Sequence, residues 1–230
     1  MSYPVDIAQL QQIPLFAELE LPLLEQLAAQ SRVTQYAVNQ VVFYEGDQLP
    51  ACLHLLISGR LSITRIAESG KETILRVLTA GEIFAAPAMF GDCKAPATAT
   101  AVEAIAVLTL KREALLTGFS QNPELALQLL VVLNHRLQQL QNRLHGLVSE
   151  RAIVRLVNYL EYMAAEGGTQ TVPEGQRLQL PLTYYQMARS IGITYEECVR
   201  LFRQLQPAVT YKRGGIITIL DRQQLTAITH

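Results

Sequence analysis

The chain has 230 residues, of which 50% are hydrophobic and 17% charged, so it is long enough for two modest globular domains. Its apolar runs are far shorter than the ~20 residues that a membrane helix needs, and its first residues lack the features of a secretory signal. Its three scattered cysteines form neither a disulfide framework nor a zinc site, and we expect a cytoplasmic protein with no membrane partner. Residues 1–150 carry 10 Lys and Arg against 14 Asp and Glu, whereas residues 151–230 carry 9 against 6. This asymmetry is typical of a chain with a nucleic-acid-binding C-terminal part.

Helix and strand signals divide the first half of the chain. Residues 6–31 are predicted to be helical, with Pro14 and Pro22 near helix starts, where proline is tolerated. From residue 33 to residue 111 the pattern changes to short Ile-, Leu- and Val-rich runs, separated by glycine turns spaced 10 to 13 residues apart. Because no helix separates these runs, we expect an antiparallel sandwich or roll, a fold that can enclose a pocket. The predicted strands lie at 53–57, 61–66, 73–78 and 105–110.

A long helix is predicted in the middle of the chain. After a helix at 112–119, Asn122-Pro123-Glu124 provides an N-cap, a proline at the first helical position and an acid in the first turn. The helix that follows carries leucine at each a and d position of a heptad register, which predicts a coiled-coil dimer. The alternative is one amphipathic helix packed on its own domain. The predicted dimer interface comprises Leu130, Leu133, Leu137, Leu140, Leu144 and Leu147.

Two short helices near the C-terminus have the signature of a helix-turn-helix. Thr183 with Gln186, and Thr194 with Glu197, each have the spacing of a capping box, and Gly192 lies between them, where the first helix must end. The segments 209–211 and 216–220 then predict a β-hairpin with a basic tip, a winged arrangement. The alternative is an ordinary helical hairpin with solvated charges.

The exposed face of the second helix has the residue types that read DNA. Arg200 can donate a fork of hydrogen bonds to guanine, and Glu196 can accept from cytosine. Lys212 and Arg213 at the hairpin tip would reach phosphates. The candidate DNA-binding residues are Thr183, Arg189, Thr194, Tyr195, Glu196, Val199, Arg200, Arg203, Lys212 and Arg213.

Taken in order, these parts resemble the cyclic-AMP receptor protein/FNR (Crp/Fnr) family of bacterial transcription regulators. The resemblance runs from residue 14 to residue 220 and includes YEGD at 44–47, LLISG at 55–59, GKETIL at 70–75, GEIF at 81–84 and the helix-turn-helix. It implies an α+β chain with a double-stranded β-helix (jelly-roll) sensor domain at 1–121, a dimerisation helix and hinge at 122–148, and a winged helix-turn-helix domain at 149–230. It also implies a homodimer on a near-palindromic DNA site, with RNA polymerase as a candidate partner.

The chain departs from this family where its members bind cyclic AMP. A Gly-Glu pair and an Arg-Ser pair hold the ribose and cyclic phosphate in those proteins, and here their places are taken by Ala85-Ala86 and Pro96-Ala97. Alanine and proline side chains give a phosphate no hydrogen-bond donor, so we expect an effector other than cyclic AMP. The candidate effector pocket comprises Phe84, Ala85, Ala86, Met89, Pro96, Ala97, Leu140 and Gln141.

The second predicted helix of the helix-turn-helix also departs from the family. Tyr195 stands where arginine or a small polar donor is usual, while Glu196 and Arg200 match.

The sequence therefore predicts a homodimeric, sequence-specific transcription regulator under the control of an unidentified small molecule, without enzymatic activity, cofactor or metal. The alternatives are an effector-independent regulator, or an interaction module with the same fold and no ligand. A cupin-type metal enzyme would need a cluster of histidines, and only His54 lies in the β region. An iron–sulfur cluster would need several cysteines before Cys52, and a haem would need paired axial ligands, which the lone histidines do not provide.

Overall fold

The computed structural model describes the backbone of residues 2–66 and 72–228, and their side chains apart from those of residue 2 and residues 142–149. The chain forms two compact units. The first, called the N-terminal unit, contains residues 1–65 and 78–138, and the second, called the C-terminal unit, contains residues 66–77 and 139–230. The domain boundaries at 121/122 and 148/149 remain a prediction.

The N-terminal unit begins with a short strand and two helices. They are β1 (Ser2–Pro4), α1 (Ile7–Gln11) and α2 (Leu21–Ala29). Asp6 and Gln9 form a capping box at the start of α1, and Pro22 lies in the first turn of α2, as predicted. Residues 12–20 are turns rather than helix, so the prediction of helix through 6–31 is wrong in its middle.

Antiparallel strands occupy the region where β structure was predicted. In chain order the elements are β2 (Ser31–Tyr36), β3 (Val41–Phe43), β4 (Cys52–Ser58), β5 (Leu61–Ile66), β6 (Glu72–Leu78), β7 (Ile83–Phe84), α3 (Ala86–Phe90), β8 (Thr98–Ala101) and β9 (Ile105–Lys111). One sheet has the order β1-β2-β9-β4-β7, and a second contains β3, β8 and β5 in that order. The antiparallel sandwich or roll predicted from the turn spacing is confirmed, whereas the short helix α3 was not predicted. One of the glycine turns that the sequence predicts in this region, at Ser69-Gly70, lies outside the described residues.

The period-2 alternation of β4 and β9 divides their side chains between two cores. Leu55 and Leu108 face a core that also includes residues of α2, and Leu56 and Val107 face a core shared with the second sheet. The second core is therefore the space between the two sheets. It contains Phe43, Leu49, Leu56, Leu61, Leu78, Phe84, Ala85, Ala88, Ala95, Ala99, Ala101, Ile105 and Val107.

Three helices follow the sheets: α4 (Arg112–Gln121), α5 (Pro123–Ser149) and α6 (Ala152–Glu166). The Asn122 carboxamide oxygen accepts from the backbone N–H of Glu124 at 3.1 Å, which confirms the predicted start of α5. Helix α5 continues through Gly146 and ends at Ser149, close to the predicted break. Its first turns bury Leu125 and Leu129 in the core of the N-terminal unit.

The C-terminal unit is a small α+β arrangement. After α6 come β10 (Thr169–Val172), β11 (Gly175–Leu178), α7 (Tyr184–Ser190), α8 (Tyr195–Gln204), β12 (Val209–Lys212), β13 (Ile216–Ile219) and α9 (Arg222–Ala227). The sheet has the order β10-β11-β13-β12, and β12 and β13 form the predicted hairpin. Strand β10 was not predicted. Ile74 and Val77 of β6 also pack in the core of this unit. The Tyr162 hydroxyl oxygen accepts a hydrogen bond from the Val77 backbone N–H at 3.1 Å.

Candidate nucleic-acid interface

Helix α7 begins at a complete capping box. The Thr183 hydroxyl accepts from the backbone N–H of Gln186 at 3.2 Å, and the Gln186 carboxamide oxygen accepts from the backbone N–H of Thr183 at 2.9 Å. Two backbone N–H groups that a helix start leaves without partners are thereby satisfied. The predicted start of the first helix is confirmed.

A tight turn joins α7 to α8. Gly192 has a φ of +68°, in the left-handed region that favours glycine, and the Ile193 N–H donates to the Ala188 carbonyl at 2.9 Å. The Thr194 hydroxyl then accepts from the backbone N–H of Glu197 at 3.2 Å, so Thr194 caps α8. The prediction that Glu197 completes a second capping box is wrong, because its carboxylate pairs with Arg200, 3.6 Å away.

Helix α8 has a buried face and an exposed face, as predicted. Cys198, Leu201 and Phe202 are buried in the core of the C-terminal unit, and burial raises the pKa of the Cys198 thiol to about 11, so it stays neutral. On the opposite side Glu196, Arg200 and Arg203 are exposed. The helix can therefore pack against the unit and present polar groups to a ligand at the same time.

The hairpin between β12 and β13 carries two cations beside the helix pair. Lys212 at the end of β12 and Arg213 in the turn are both exposed. In the same turn, Gly215 has a φ of +79°, and its carbonyl accepts from the Leu182 N–H at 2.8 Å. A Cβ on Gly215 would lie 2.9 Å from the Leu182 nitrogen, so this approach requires glycine. The approach ties the hairpin to the residue that precedes the cap of α7.

Aromatic rings connect both helix starts with the hairpin. The Tyr184 ring stacks on Tyr211 with centroids 4.0 Å apart, and it meets Phe202 and Tyr195 edge-on at 5.3 Å and 6.2 Å. Burial, followed by the effect of Tyr211, raises the pKa of Tyr184, so this phenol stays neutral. No sequence motif pointed to this cluster, because its members are separated by up to 27 positions in the chain.

The structure brings the predicted DNA-binding residues to the two helices and the hairpin. Val199 on α8 and Arg189 in the last turn of α7 are half-buried, and the others are exposed. The exposed members are Thr183, Thr194, Tyr195, Glu196, Arg200, Arg203, Lys212 and Arg213. Their roles in binding DNA remain predictions.

The candidate effector residues are dispersed over several environments. Phe84 and Ala85 are buried in the core between the sheets, whereas Met89 packs in the core that includes α2. Ala97 is buried, Ala86 is half-buried and Pro96 is exposed. Leu140 and Gln141 are exposed and belong to the other unit. An effector site at these residues therefore stays a prediction.

Ala85 has a left-handed backbone, with φ +51° and ψ +39°, at the residue that caps α3. We expect Ala85→Gly to leave the free energy of unfolding unchanged or higher, because relief of about 1–2 kcal/mol of backbone strain offsets the ~0.8 kcal/mol lost with the buried methyl group. Ala85→Val should lower it by more than about 2 kcal/mol, since a β-branched side chain is worst in this region. Urea titrations of the two variants, with Ala86→Gly as the control in α3, check this. Equal destabilisation by glycine and valine at residue 85 would contradict it.

His54 on β4 is a buried titratable group of the core between the sheets. It is 5% exposed, its ring lies 5.7 Å from Phe84 and 6.2 Å from Phe43, and its Nδ1–H donates to the Cys52 carbonyl at 3.1 Å. Burial lowers the pKa of His54, so the imidazole is neutral in the folded chain.

The free energy of unfolding should therefore fall as the pH falls below about 6.5, where the unfolded chain takes up a proton that buried His54 does not. We expect His54→Phe to reduce the difference in stability between about pH 7.5 and about pH 5.5, whatever its effect at one pH. Urea midpoints at both pH values measure this. The variant of the exposed histidine, His135→Phe, should keep the wild-type difference, and the same difference in the His54 variant would contradict the assignment.

The leucine stripe of α5 is exposed over most of its described part. Leu130 is 60% exposed, Leu137 54% and Leu140 50%, whereas Leu133 is half-buried against the core of the N-terminal unit. One face of this helix therefore packs on its own domain, and another apolar face is exposed. The side chains of Leu144 and Leu147 lie outside the described residues, and the dimer interface remains a prediction.

In the described part of the chain, no helix is long and apolar enough to cross a membrane. Among the same residues, no group of three or more His, Cys, Asp or Glu is placed to hold a metal ion.

A sandwich domain, a long helix and a helix-turn-helix with a β-hairpin together define a DNA-binding protein of the winged helix-turn-helix class.

Comparison with known proteins gives the family. Residues 33–122 match the model of the cyclic nucleotide-binding domain, and residues 154–228 match the Crp-like helix-turn-helix domain. A CRP-like cAMP-activated global transcriptional regulator from Mycobacterium tuberculosis is 28% identical over 79% of this chain and 80% of its own. The global nitrogen regulator of Synechococcus elongatus is 24% identical over 76% and 79%. The structure of a CRP/FNR-family regulator from Thermus thermophilus has a TM-score of 0.71 at 19% identity, covering 86% of this chain and 97% of that chain.

The chain belongs to the Crp/Fnr family of transcription regulators. The resemblance and the α+β fold predicted from the sequence are confirmed. The Crp-like helix-turn-helix is its DNA-binding domain.

Proposed function

We propose that this regulator binds a near-palindromic operator as a homodimer, with α8 of each copy in the major groove. The observation that carries the proposal is the exposed face of α8, where Glu196, Arg200 and Arg203 lie opposite a fully buried apolar face. A fork donor and a carboxylate on one helix face are suited to guanine and cytosine. The cations at the hairpin tip are suited to phosphates, which fix position without reading sequence.

The dimer is supported by the open apolar face of α5. Leu127 and Val131 are exposed on this helix in addition to Leu130, Leu137 and Leu140, and so many exposed apolar residues on one helix are typical of an interface. Packing against the same helix of a second copy would bury this apolar face on both copies at once. The two copies would then be related by one two-fold axis. That symmetry would place the two reading helices about 34 Å apart, on successive turns of one side of the duplex.

The operator can be found by sequencing DNA that the purified full chain retains from a randomised pool. We expect an inverted repeat whose half-sites are centred about 10 base pairs apart and contain C·G or G·C pairs for Glu196 and Arg200. Retention without an enriched sequence, or no retention, would favour the alternative of an interaction module that has lost specific DNA binding.

We also propose that the chain has no catalytic activity and acts in the cytoplasm. RNA polymerase is its candidate protein partner.

The effector is proposed not to be cyclic AMP. Ala85 and Ala86 provide no side-chain donor for a phosphate, and neither do Pro96 and Ala97. The relatives do not settle the effector by analogy, since one is named as cAMP-activated and another as a nitrogen regulator. The remaining possibilities are a different small molecule or a regulator that binds DNA without one.

Calorimetric titration tests this directly. Cyclic AMP and cyclic GMP should give no saturable heat, and the affinity for the enriched operator should be the same with and without them. Titration with 2-oxoglutarate in the same series tests a small dicarboxylate as the alternative effector. A saturable signal with cyclic AMP, accompanied by tighter operator binding, would contradict the interpretation of the alanine pair.

A further inference from the structure

Tyr195 is the first residue of α8 and lies directly after its cap, Thr194. The N-terminal residues of a helix in the major groove are those that contact base edges. The Tyr195 side chain is 46% exposed, so part of its ring is held by the protein and part is free to touch a ligand. Glu196, the next residue, is on the exposed face as well.

Two neighbouring rings fix the position of Tyr195. Tyr184 meets it edge-on at 6.2 Å with an interplanar angle of 90°, and Tyr185 lies 6.4 Å away at 34°. Tyr184 is itself stacked on Tyr211 of the hairpin. A ring supported in this way loses little conformational entropy when it meets DNA, so its contact is pre-organised.

The chemistry of the ring determines which base it suits. A phenol cannot form the bidentate pair by which arginine recognises guanine, and its ring presents an apolar surface. The apolar group in the major groove is the 5-methyl group of thymine. We propose that Tyr195 reads a T·A base pair in each half-site by packing its ring against that methyl group. The pair would adjoin those that Glu196 and Arg200 contact, and this inference rests on the proposed operator binding.

The test removes the methyl group without changing base pairing. Each thymine of the enriched half-site is replaced in turn by deoxyuridine, and the affinity of the full chain is measured. At one position the replacement should lower the affinity of the wild type by about fourfold, the change expected for the loss of one buried methyl group. The same position should have no effect on Tyr195→Ala and the full effect on Tyr195→Phe, which keeps the ring and lacks the hydroxyl.

The outcomes separate this inference from the function on which it rests. An enriched operator with no deoxyuridine-sensitive position, or one equally sensitive in Tyr195→Ala, overturns the reading role and leaves the regulator intact. A uniform loss of affinity in Tyr195→Phe for all sequences would assign the hydroxyl to a phosphate instead, and this also overturns it. The absence of any enriched operator would count against the proposed function itself. Tyr195→Gln also removes the ring and should likewise lose the effect of deoxyuridine, so it replaces the alanine variant in this comparison if that variant misfolds.

Discussion

Leu137→Glu is expected to convert the homodimer into a monomer and to lower affinity for the inverted-repeat operator by about 100-fold or more. Leu137 is 54% exposed on α5, and in a two-fold dimer the substitution places two like charges near each other in an apolar seam. Each helix-turn-helix would then have to bind its half-site alone. Light scattering measures the mass, and mobility shift measures the affinity.

The matched control is His135→Glu. Residue 135 is exposed on the same helix but occupies the heptad position farthest from the leucine stripe, so the same new carboxylate should leave both mass and affinity at wild-type values. If Leu137→Glu is still a dimer by light scattering, the interface lies elsewhere. If both variants dissociate, added negative charge rather than the stripe is responsible.

Arg200→Ala is expected to weaken operator binding by about 1–3 kcal/mol, the loss of one bidentate base contact, and to relax the preference at one base pair of each half-site. The nearby Glu197 carboxylate does not prevent this role, because an exposed ion pair at 3.6 Å stabilises the helix by less than about 1 kcal/mol. Arg200→Lys should lose most of the preference while keeping the charge, since an ammonium lacks the planar fork. Competition between single-substituted operators measures the preference.

Lys212→Ala provides the contrasting result. A phosphate contact carries no sequence information, so this variant should bind all sequences more weakly by a similar factor. The slope of the logarithm of the affinity against the logarithm of the salt concentration should also become smaller in magnitude by about one. An unchanged preference in Arg200→Ala would remove Arg200 from the reading face. A sequence-dependent loss in Lys212→Ala would contradict the division into reading and positioning residues.

Local signals in the sequence were sufficient to predict most elements of the fold. Gly59, with a φ of +79°, separates β4 from β5, because the chain must reverse there at a residue that tolerates positive φ. The helix-turn-helix was also predictable from local signals. Thr183 and Thr194 cap helices and Gly192 ends one, and each does so through contacts with residues nearby in the chain. The resemblance also placed Ala85 where cyclic-AMP binders have glycine, and its φ of +51° is the conformation that favours glycine.

Features that depend on distant contacts were not predictable. Residues 12–20 have helix-compatible leucines, yet they form turns that bury Leu15, Phe16 and Leu19 in the first core. The pairing of Glu197 with Arg200 rather than with the cap depends on a choice between two nearby partners, which a spacing rule cannot make. The ring cluster around Tyr184 depends on the return of the hairpin. A heptad pattern likewise does not reveal that Leu133 packs on its own domain.

Native mass spectrometry of the full chain with the enriched operator tests the central claim most directly. Two copies joined along α5 and reading one duplex predict a complex of two chains and one duplex at saturation, with no stable complex of one chain. A saturated complex with a single chain on the inverted repeat would contradict the account.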